Sequence, residues 1–350
     1  MDIAGRKVGP GHPCYVIAEA GSNHDGDLDQ AKRLIDVAAE AGADAVKFQV
    51  FRAEAIAAAT SDPIASLEGD QFGSFGTDLV DMYRKLELPG EWLPILKDHA
   101  EAAGIDFCAT PFDEEAVDDL VALGVPFLKV ASFEMVHFPL LEHCARTGLP
   151  IVLSTGLATM DEVVEAVAVC TRAGASGLVL LHCGIEYPLA FENVNLRAMV
   201  AMAERTGLPV GYSDHTLGSS VAVAAAALGA CVFEKHFTLD RGLSGPDHQF
   251  AMEPHELAEM VRAVREVESA LGSAVKAPTP AEDLHLRRGR RSLFAARDIE
   301  AGEIIARCDV SVLRPGVGLA PAELERVVGS RVVRAIRRHE PLSWDALERS

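Results

Sequence analysis

Eight short apolar runs recur between residues 12 and 270 of the chain, and most of them are separated by polar loops and amphipathic helical stretches. A strand that is apolar throughout has to be covered on both faces, and strands that alternate with helices are typical of a parallel sheet. The pattern therefore predicts a parallel α/β fold. Its strands are expected at residues 16–19, 45–49, 106–110, 127–130, 151–154, 178–182, 210–213 and 231–235.

The number and spacing of these units indicate which parallel fold to expect. Eight units over about 255 residues match the size of a (β/α)8, or TIM, barrel. The alternative is a doubly wound open sheet, which usually has fewer strands and a glycine-rich first turn. The first strand here leads into AEAGSNHDGD, which contains no GxGxxG motif, so we predict the barrel. Residues 52–80 are predicted to form a long loop over its active face.

The pattern changes after Leu271. Residues 272–290 contain Pro278 and Pro280 and are typical of a linker. Residues 291–350 contain the turn signals DIEAGE and RPGVG and one short helical stretch, APAELERVVG. We therefore predict a barrel domain at 1–271, a linker at 272–290 and a small second domain of short strands and turns at 291–350.

Charge, cysteine spacing and hydropathy narrow the classes of function. The formal net charge of −20 argues against a nucleic-acid partner. Residues 285–350 carry a net charge of +4 and the remainder −24, so the basic part is expected to dock on the acidic part, within one chain or between chains.

Seven scattered cysteines without a CxxC pair indicate reduced thiols in a cytosol. The longest apolar stretch, 221–233, is shorter than the roughly 20 residues of a membrane span, and no signal peptide is evident, so we expect a cytoplasmic protein.

Polar side chains stand at the ends of all eight predicted strands. Catalytic groups of a TIM barrel lie at these carboxyl ends. One polar residue there is ordinary, but a complete set favours a polar active-site bowl. The residues are Glu19, Lys47, Gln49, Thr110, Lys129, Ser132, Glu134, Ser154, His182, Ser213, Asp214, His215, Glu234, Lys235 and His236.

Two of these residues, His215 and His236, end neighbouring strands and are expected to lie side by side over the barrel mouth. No cysteine or third histidine is placed to close a tetrahedral zinc site. An open pair of imidazoles completed by oxygens suits a divalent ion such as Mn²⁺, Co²⁺ or Mg²⁺ acting as a Lewis acid. Two hydrogen-bonded histidines without a metal are the alternative.

Two lysines, Lys47 and Lys129, end apolar strands beside several hydroxyl groups. Lysine charges together with hydroxyl donors form a suitable cradle for a small anion that carries phosphate and carboxylate. Each lysine can also pair with a carboxylate such as Glu19 or Glu234 when the substrate is absent. A buried lysine can instead form a Schiff base, which leaves an imine mechanism open. The hydroxyls come from Thr110, Ser132, Ser154 and Ser213.

A series of motifs along nearly the whole chain carries a specific resemblance. The chain resembles the sialic acid synthase family, and residues 291–350, with RSLFAARDI and LRPG, resemble that family's C-terminal antifreeze-like (SAF) domain of the β-clip type. The motifs are, in order, YVIAEAGSNHDGDLDQAKRLIDVAAEAGADAVKFQ, TPFD, LKVASFE, LSTGLAT, LLHCGIEYP, GYSDHTLG, EKHFTL and GPDHQFAMEP.

The resemblance implies a TIM barrel joined to an SAF domain in a domain-swapped homodimer. It implies a transferase that condenses phosphoenolpyruvate with an N-acetylmannosamine-type aldehyde and water. The products are a nine-carbon 2-keto sugar acid and phosphate, released by C–O cleavage with the help of a divalent metal.

The resemblance also implies roles for individual residues. By motif, the phosphoenolpyruvate site comprises Lys47, Thr110, Lys129, Ser132, Ser154 and Ser213. The metal ligands are His215 and His236, and the catalytic carboxylate is Glu134. The sugar contacts are Glu19, Gln49, Tyr187, Asp247 and, from the partner's SAF domain, Arg314.

Departures from the family pattern leave the sugar open. Gly184 and Ile185 stand where many relatives have polar residues, so the family's Asn ligand for phosphoenolpyruvate is missing or replaced. The SFE motif is closer to the pseudaminate branch, whereas CGIEYP and FENVNLRAM are closer to the neuraminate and legionaminate branches. A pseudaminate or legionaminate synthase acting on a 6-deoxy-diacetamido hexose is therefore an alternative. More remote ones are a lyase with an imine on Lys129 or Lys235, and a non-enzymatic carbohydrate binder.

Overall fold

The computed structural model describes residues 1–68 and 73–348. It divides into two compact units, Met1–Gly272 and Ser273–Ser350. In chain order the first unit contains β1 (Asp2–Ile3), β2 (Arg6–Lys7), β3 (Tyr15–Gly21), α1 (Leu28–Glu40), β4 (Ala45–Val50), α2 (Ala53–Ile56), α3 (Leu79–Leu86), α4 (Trp92–Ala103), β5 (Asp106–Pro111), α5 (Glu114–Leu123), β6 (Leu128–Val130), α6 (Phe138–Arg146), β7 (Ile151–Ser154), α7 (Met160–Ala173), β8 (Leu178–Cys183), α8 (Arg197–Thr206), β9 (Val210–Asp214), α9 (Ser220–Ala227), β10 (Val232–His236) and α10 (Pro254–Leu271).

Strands β3–β10 form one parallel eight-stranded sheet in the order β5-β4-β3-β10-β9-β8-β7-β6. The two ends of this order, β5 and β6, lie against each other, so the sheet nearly closes on itself. The TIM-barrel prediction is therefore confirmed, with each predicted strand found within two residues of its expected bounds.

The strand alternation separates two apolar layers. Val16, Ala18 and their counterparts on the other strands point outward and pack under the helices. Tyr15, Ile17 and their counterparts point inward and fill the amino-terminal half of the barrel. Because successive strand residues point to opposite faces, the residue two positions after an inward apolar one also points inward.

An N-terminal hairpin, β1–β2, closes the amino-terminal end of the barrel. Its two strands pair antiparallel through Ile3 and Arg6. Ile3 and Val8 are buried in the same cluster as Tyr15 and Ile17. No prediction was made for this hairpin, which consists of two-residue strands.

The segment predicted as a long loop, 52–80, is partly helical. It contains α2 and a 3₁₀ turn at Pro63–Ala65, and α3 begins at Leu79. Residues 69–72 of this prediction lie outside the described residues. No helix in the described ranges 1–68 and 73–348 is both long and apolar enough to cross a bilayer.

The second unit consists of short elements around its own apolar cluster. β11 (Ser292–Ala295) pairs antiparallel with β12 (Val310–Leu313), and β13 (Arg331–Val332) with β14 (Leu347–Glu348). The buried side chains include Leu293, Ile299, Val332 and Leu342. Short strands with one short helix were predicted here and are found. The elements are α11 (Asp283–Gly289), β11 (Ser292–Ala295), β12 (Val310–Leu313), α12 (Leu324–Val327), β13 (Arg331–Val332) and β14 (Leu347–Glu348).

The predicted linker, 272–290, is helical in its second half. A 3₁₀ turn, Pro280–Glu282, continues directly into α11. The turn is capped by Thr279, whose backbone N–H and hydroxyl donate to the Glu282 carboxylate at 2.7 and 3.1 Å. Pro280 occupies the first position of the turn, where proline needs no backbone donor, so it starts the helix instead of breaking one.

Candidate active site

The carboxyl end of the barrel holds two adjoining cavities. The inner cavity, of about 60 Å³, is lined mainly by charged and hydroxyl side chains, including Glu19, Lys47, Lys129 and Glu234. The outer cavity, of about 670 Å³, has largely apolar walls and lies above it. The two cavities share the lining residues Gln49, Phe112, Ala131, Phe133, Ile185, Tyr187 and His236. They therefore form one site with a small polar floor and a wide upper part.

Strand parity explains which polar residues reach the inner cavity. Glu19 follows inward-facing Ile17 by two positions, and Glu234 follows inward-facing Val232 in the same way. Three predicted bowl residues, His182, Asp214 and Lys235, have the opposite parity and line neither cavity. The expectation that all polar strand ends face one bowl is wrong for these three.

On one side of the inner cavity, Lys47 joins two strands. Its Nζ lies 2.8 Å from Glu19 Oε2 and donates a hydrogen bond of 2.9 Å to Thr110 Oγ1. Gln49 Nε2 donates to the other Glu19 oxygen at 2.8 Å. Burial lowers the pKa of Lys47, but the carboxylates of Glu19 and Glu234 outweigh this effect and raise it overall. Lys47 is therefore a fixed positive charge at neutral pH.

Two strands further along the barrel, Lys129 of β6 donates to Ser154 Oγ at 2.7 Å and to the Val130 carbonyl at 3.0 Å. Its Nζ lies 3.7 Å from Glu234 Oε1, which accepts a 3.0 Å hydrogen bond from Ser213 Oγ. Burial lowers the pKa of Lys129. Within the described part of the chain, Glu234 Oε2 is buried without a hydrogen-bond partner. Lys129 is thus held loosely by a carboxylate that an incoming anion can replace.

Glu234 is the site residue that our list of substrate contacts omitted. We expected it only as a lysine partner, although it stands between Lys129 and Ser213 in the inner cavity. Glu234 and His236 are two positions apart on the same strand, so both side chains point to the inner face of the barrel. This spacing is visible in the sequence.

Ser132 lines the inner cavity and accepts a 2.9 Å hydrogen bond from the Gly156 amide. Ile185 packs over the same glycine, since a Cβ at position 156 would lie 2.6 Å from Ile185 Cδ1. The position at which the family resemblance implies a polar residue is therefore filled by an alkyl group that borders both cavities.

The histidine pair lies between the two cavities. The ring centroids of His215 and His236 are 5.3 Å apart, and the ring of Tyr187 lies 4.1 Å from that of His215. Burial lowers the pKa of His215 to about 4 and that of His236 well below its ordinary value. Both imidazoles are therefore neutral at pH 7, the form that binds metals.

The hydrogen bonds of the pair fit a divalent cation. The Gly184 carbonyl accepts from His215 Nδ1 at 2.6 Å, which leaves Nε2 with its lone pair. His236 Nδ1 is buried without a hydrogen-bond partner among the described residues, and Asp247 Oδ2 is 3.7 Å away. In residues 1–68 and 73–348, no set of three His, Cys, Asp or Glu side chains is arranged to hold a metal ion. A cation here would depend on two imidazoles and on oxygens from substrate or water.

The predicted sugar contacts Glu19, Gln49 and Asp247 converge on Gly21. A Cβ at Gly21 would lie 3.1 Å from Asp247 Oδ2 and 3.4 Å from both Gln49 Nε2 and Glu19 Oε1. Tyr187, Gln49 and Asp247 line the outer cavity, while Glu19 lines the inner one. Burial raises the pKa of Asp247 to about 7. The four residues thus surround the passage between the two cavities.

Two predicted residues stand apart from this arrangement. Glu134 lines neither cavity, and its buried Oε2 has no hydrogen-bond partner in the described ranges. Burial raises the pKa of Glu134 to about 7. Arg314 belongs to the second unit, where it is exposed in the turn after β12.

Buried lysines, carboxylates and paired histidines lie together at the carboxyl end of the barrel. Active sites of TIM-barrel enzymes lie at this face, so the fold and the site place the chain in the class of TIM-barrel enzymes. The chain belongs to the NeuB family, whose model matches residues 34–276, and the SAF domain model matches residues 290–348. The SAF prediction for the C-terminal unit is thereby confirmed.

Relatives in this family are nonulosonate synthases of several kinds. The chain is 42% identical over 341 residues to the N,N'-diacetyllegionaminic acid synthase of Legionella pneumophila, covering 96% of this chain and 95% of the relative. It is 34% identical to the pseudaminic acid synthase of Helicobacter pylori, covering 97% and 99%. The N-acetylneuraminic acid synthetase structure from Leptospira borgpetersenii aligns with a TM-score of 0.72 and 34% identity, over 82% of this chain and 94% of that one.

Proposed function

We propose that the protein condenses phosphoenolpyruvate with an N-acetylmannosamine-type aldehyde and water, releasing phosphate and a nine-carbon 2-keto acid. The observation that carries this proposal is the inner cavity, which Lys47 and Lys129 both line beside the histidine pair. Two buried ammonium groups with Thr110, Ser154 and Ser213 hydroxyls can hold a small anion that bears both carboxylate and phosphate.

In this proposal the substrate replaces the partners of one lysine, Lys129, and leaves the other paired with its carboxylate. Phosphoenolpyruvate takes over contacts that Glu234 and the hydroxyls make to Lys129 in the free protein. Lys47 stays charged beside Glu19 and stabilises the negative charge that accumulates on the phosphate and carboxylate. C3 of phosphoenolpyruvate forms a bond to the aldehyde carbon, water adds at C2, and the C2–O bond to phosphate breaks with both electrons leaving on the phosphate.

His215 and His236 would hold a divalent cation, which would supply Lewis-acid polarisation of the aldehyde oxygen. The Gly184 carbonyl fixes the ring of His215, and the ring of Tyr187, tilted by 40° to it, packs against it. We propose Glu134, with its pKa near 7, as the base that removes a proton from the attacking water. Glu234, which lines the cavity, is the competing assignment for this role.

The alternative substrate is a 6-deoxy-diacetamido hexose, and the wall of the outer cavity favours it. Phe51, Leu79, Met82, Tyr83 and Leu86 line one side of this cavity. Apolar walls accommodate acetyl methyl groups and a C6 methyl better than additional hydroxyls. The greater identity to a legionaminic acid synthase, 42%, than to the human N-acetylneuraminate-9-phosphate synthase, 38%, supports the same alternative. Among the described residues no Lys or Arg lines this cavity, which supports a sugar without a phosphate group.

We also propose a domain-swapped homodimer in which Arg314 of one chain reaches the sugar site of the other. The net charge of +4 on residues 285–350 against −24 on the remainder supports docking of the two parts. Glu186 and Asp247 provide negative charge at the outer cavity.

The test is a phosphate-release assay with phosphoenolpyruvate and four aldehydes: N-acetylmannosamine, its 6-phosphate, and two 6-deoxy-diacetamido hexoses that differ in ring stereochemistry. Release with at least one unphosphorylated aldehyde, together with a nine-carbon keto acid in the mass spectrum, supports the proposal. Release with the 6-phosphate alone contradicts the sugar assignment, and no release with any aldehyde contradicts the reaction.

A further inference from the structure

A hydrogen-bonded chain of three residues lies beside the outer cavity without lining it. His248 has a fully buried side chain between Asp25 and Thr238. Its Nε2 lies 3.0 and 3.1 Å from the two oxygens of Asp25, and its Nδ1 lies 2.6 Å from Thr238 Oγ1. Because an ionised carboxylate only accepts, Nε2–H donates to Asp25. Both ring nitrogens of His248 are therefore engaged.

The chain connects segments that are far apart in sequence. Asp25 belongs to the loop between β3 and α1, where Gln30 Nε2 donates to its Oδ2 at 3.0 Å. Thr238 lies two residues after the end of β10, and its Oγ1 accepts from the Asp240 amide at 3.2 Å. His248 stands later in the loop between β10 and α10. His248 therefore connects the loop between β10 and α10 to the loop between β3 and α1, and also to the segment that follows β10.

The backbone around His248 is packed closely against this chain. A Cβ at Gly245 would lie 2.6 Å from Asp25 Oδ1 and 2.8 Å from His248 Nε2. Only a residue without a side chain fits there, so the loop passes directly over the Asp25–His248 contact. This close packing fixes the path of the loop backbone between Gly245 and His248.

Asp247, next to His248 in the chain, faces the other way and lines the outer cavity. Its Oδ2 lies 3.7 Å from His236 Nδ1 and close to Gly21, where Gln49 and Glu19 also converge. Nothing in the described chain places an oppositely charged Lys or Arg side chain within 4 Å of Asp247. The position of its carboxylate therefore depends on the backbone that His248 holds.

We propose that His248 is a positioning residue for Asp247. Through Asp25 and Thr238 it fixes the segment 245–248 so that the Asp247 carboxylate projects into the outer cavity and accepts a hydrogen bond from a hydroxyl of the sugar aldehyde. This inference rests on the proposed function and adds a residue that does not itself touch the substrate.

The experiment compares His248→Leu, which removes both hydrogen bonds, with His248→Gln, which keeps an amide donor for Asp25. The matched control is His99→Leu, because His99 also bonds a carboxylate, Asp36 at 2.8 Å, but on the barrel exterior. We expect His248→Leu to raise the KM for the sugar at least tenfold and to leave the KM for phosphoenolpyruvate within twofold. His248→Gln should recover part of the loss, and His99→Leu should change neither constant.

A double-mutant cycle shows whether His248 acts through Asp247. If it does, adding His248→Leu to Asp247→Ala costs nothing more in kcat/KM for the sugar, since the carboxylate to be positioned is already gone. Additive losses, or equal increases in both KM values, overturn the proposal.

Hydrogen–deuterium exchange separates this proposal from the proposed function. In His248→Leu, amides in residues 245–251 should exchange at least tenfold faster than in the wild type, whereas amides of α7 should not change. Unchanged exchange in 245–251 overturns the positioning role. If the wild-type protein releases no phosphate with any aldehyde, the reaction is wrong, while the exchange result still decides whether His248 holds the loop.

Discussion

Lys235 Nζ lies 2.7 Å from Asp214 Oδ2, and both side chains are buried on the outer face of the barrel. The two residues are register partners on β9 and β10, one position before His215 and His236. The Thr216 carbonyl accepts a further hydrogen bond from Lys235, and the Thr216 amide donates to Asp214 at 2.9 Å. The ion pair therefore ties together, from behind, the two strand ends that carry the histidines.

This ion pair gives a first prediction, on stability. Lys235→Met leaves Asp214 charged and buried without its cation, which costs about 3–5 kcal/mol of unfolding free energy. The double variant Asp214→Leu/Lys235→Met removes both charges and should recover most of that loss. Urea denaturation measures both effects, with Lys97→Met, from the more exposed Lys97–Glu101 pair, as the control. A single variant as stable as the wild type would show that Lys235 is not held as an ammonium by Asp214.

The second prediction concerns the lysines of the inner cavity. Lys129→Met and Lys47→Met each remove a charge-assisted contact to the phosphoenolpyruvate anion. We expect each to lower kcat/KM for phosphoenolpyruvate by roughly ten- to more than a hundredfold, or about 1.5–3 kcal/mol, with a much smaller effect on the KM for the sugar. Initial-rate measurements with each substrate varied in turn provide the check. An unchanged response to phosphoenolpyruvate in both variants excludes the lysines from the anion site.

The third prediction concerns the histidine pair. Chelator-treated protein should lose turnover, and Mn²⁺ or Co²⁺ should restore it. Electron paramagnetic resonance of free Mn²⁺ should show one bound ion per chain in the wild type and at least tenfold weaker binding in His236→Ala. Full turnover in chelator, with a borohydride-trapped adduct on Lys129, would instead support the imine mechanism. Lys235 is no longer a candidate for that adduct, because its side chain faces outward and lines neither cavity.

The fourth prediction concerns the pH dependence of Glu134. If the carboxylate acts as the base, kcat should rise with pH through about 7 and then level off. In Glu134→Gln the rate should be lower and this step should disappear. Glu165→Gln, on the exposed side of α7, is the control. If the step persists in Glu134→Gln, Glu134 is not the base.

The same carboxyl group links stability to pH. Burial raises the folded-state pKa of Glu134 to about 7, above its unfolded value near 4.5. Its contribution to stability is fully present below the unfolded pKa and is lost as pH rises through the folded pKa. Relative to Glu134→Gln, the wild type should therefore lose on the order of 3 kcal/mol between pH 4.5 and pH 8. Parallel urea titrations at both pH values measure this difference.

The fifth prediction tests whether Arg314 acts across subunits. Arg314→Ala should raise the KM for the sugar and leave the barrel folded, whereas Arg338→Ala in the same domain should change little. Arg314→Ala and His236→Ala are each expected to be nearly inactive, and they are mixed under conditions of subunit exchange. In a random equal mixture, heterodimers with one intact site should restore up to about a quarter of wild-type activity. A mixture that stays inactive after confirmed exchange shows that the arginine acts within its own chain.

Whether a site residue could be predicted depends on which face of its strand the residue occupies. The eight strands followed from their apolar runs, and residues such as Lys47 and Ser213 reach the inner cavity as expected. We took every polar strand end as part of the bowl, although His182, Asp214 and Lys235 are each one position out of phase with the inward residues. Counting in steps of two from Val179, Gly211 and Val232 would have assigned them to the helix-covered face.

Other features depended on contacts between distant segments, which the local pattern does not encode. Asp25 and His248 meet across 223 positions of the chain. Ile185 packs over Gly156 only because β7 and β8 lie side by side in the barrel. The N-terminal hairpin is stabilised by the burial of Ile3 and Val8 under the strands, not by its own short sequence.

The closed amino-terminal end of the barrel determines the route by which substrates enter the site and the product leaves it. Ile3 and Val8 fill that end, so the inner cavity communicates with solvent by way of the outer one. A sugar that occupies the outer cavity first obstructs the route to the lysines below it. We therefore expect ordered addition, with phosphoenolpyruvate entering first, and inhibition by the sugar at high concentration that additional phosphoenolpyruvate relieves. The same geometry requires the long product to leave before the next round can begin.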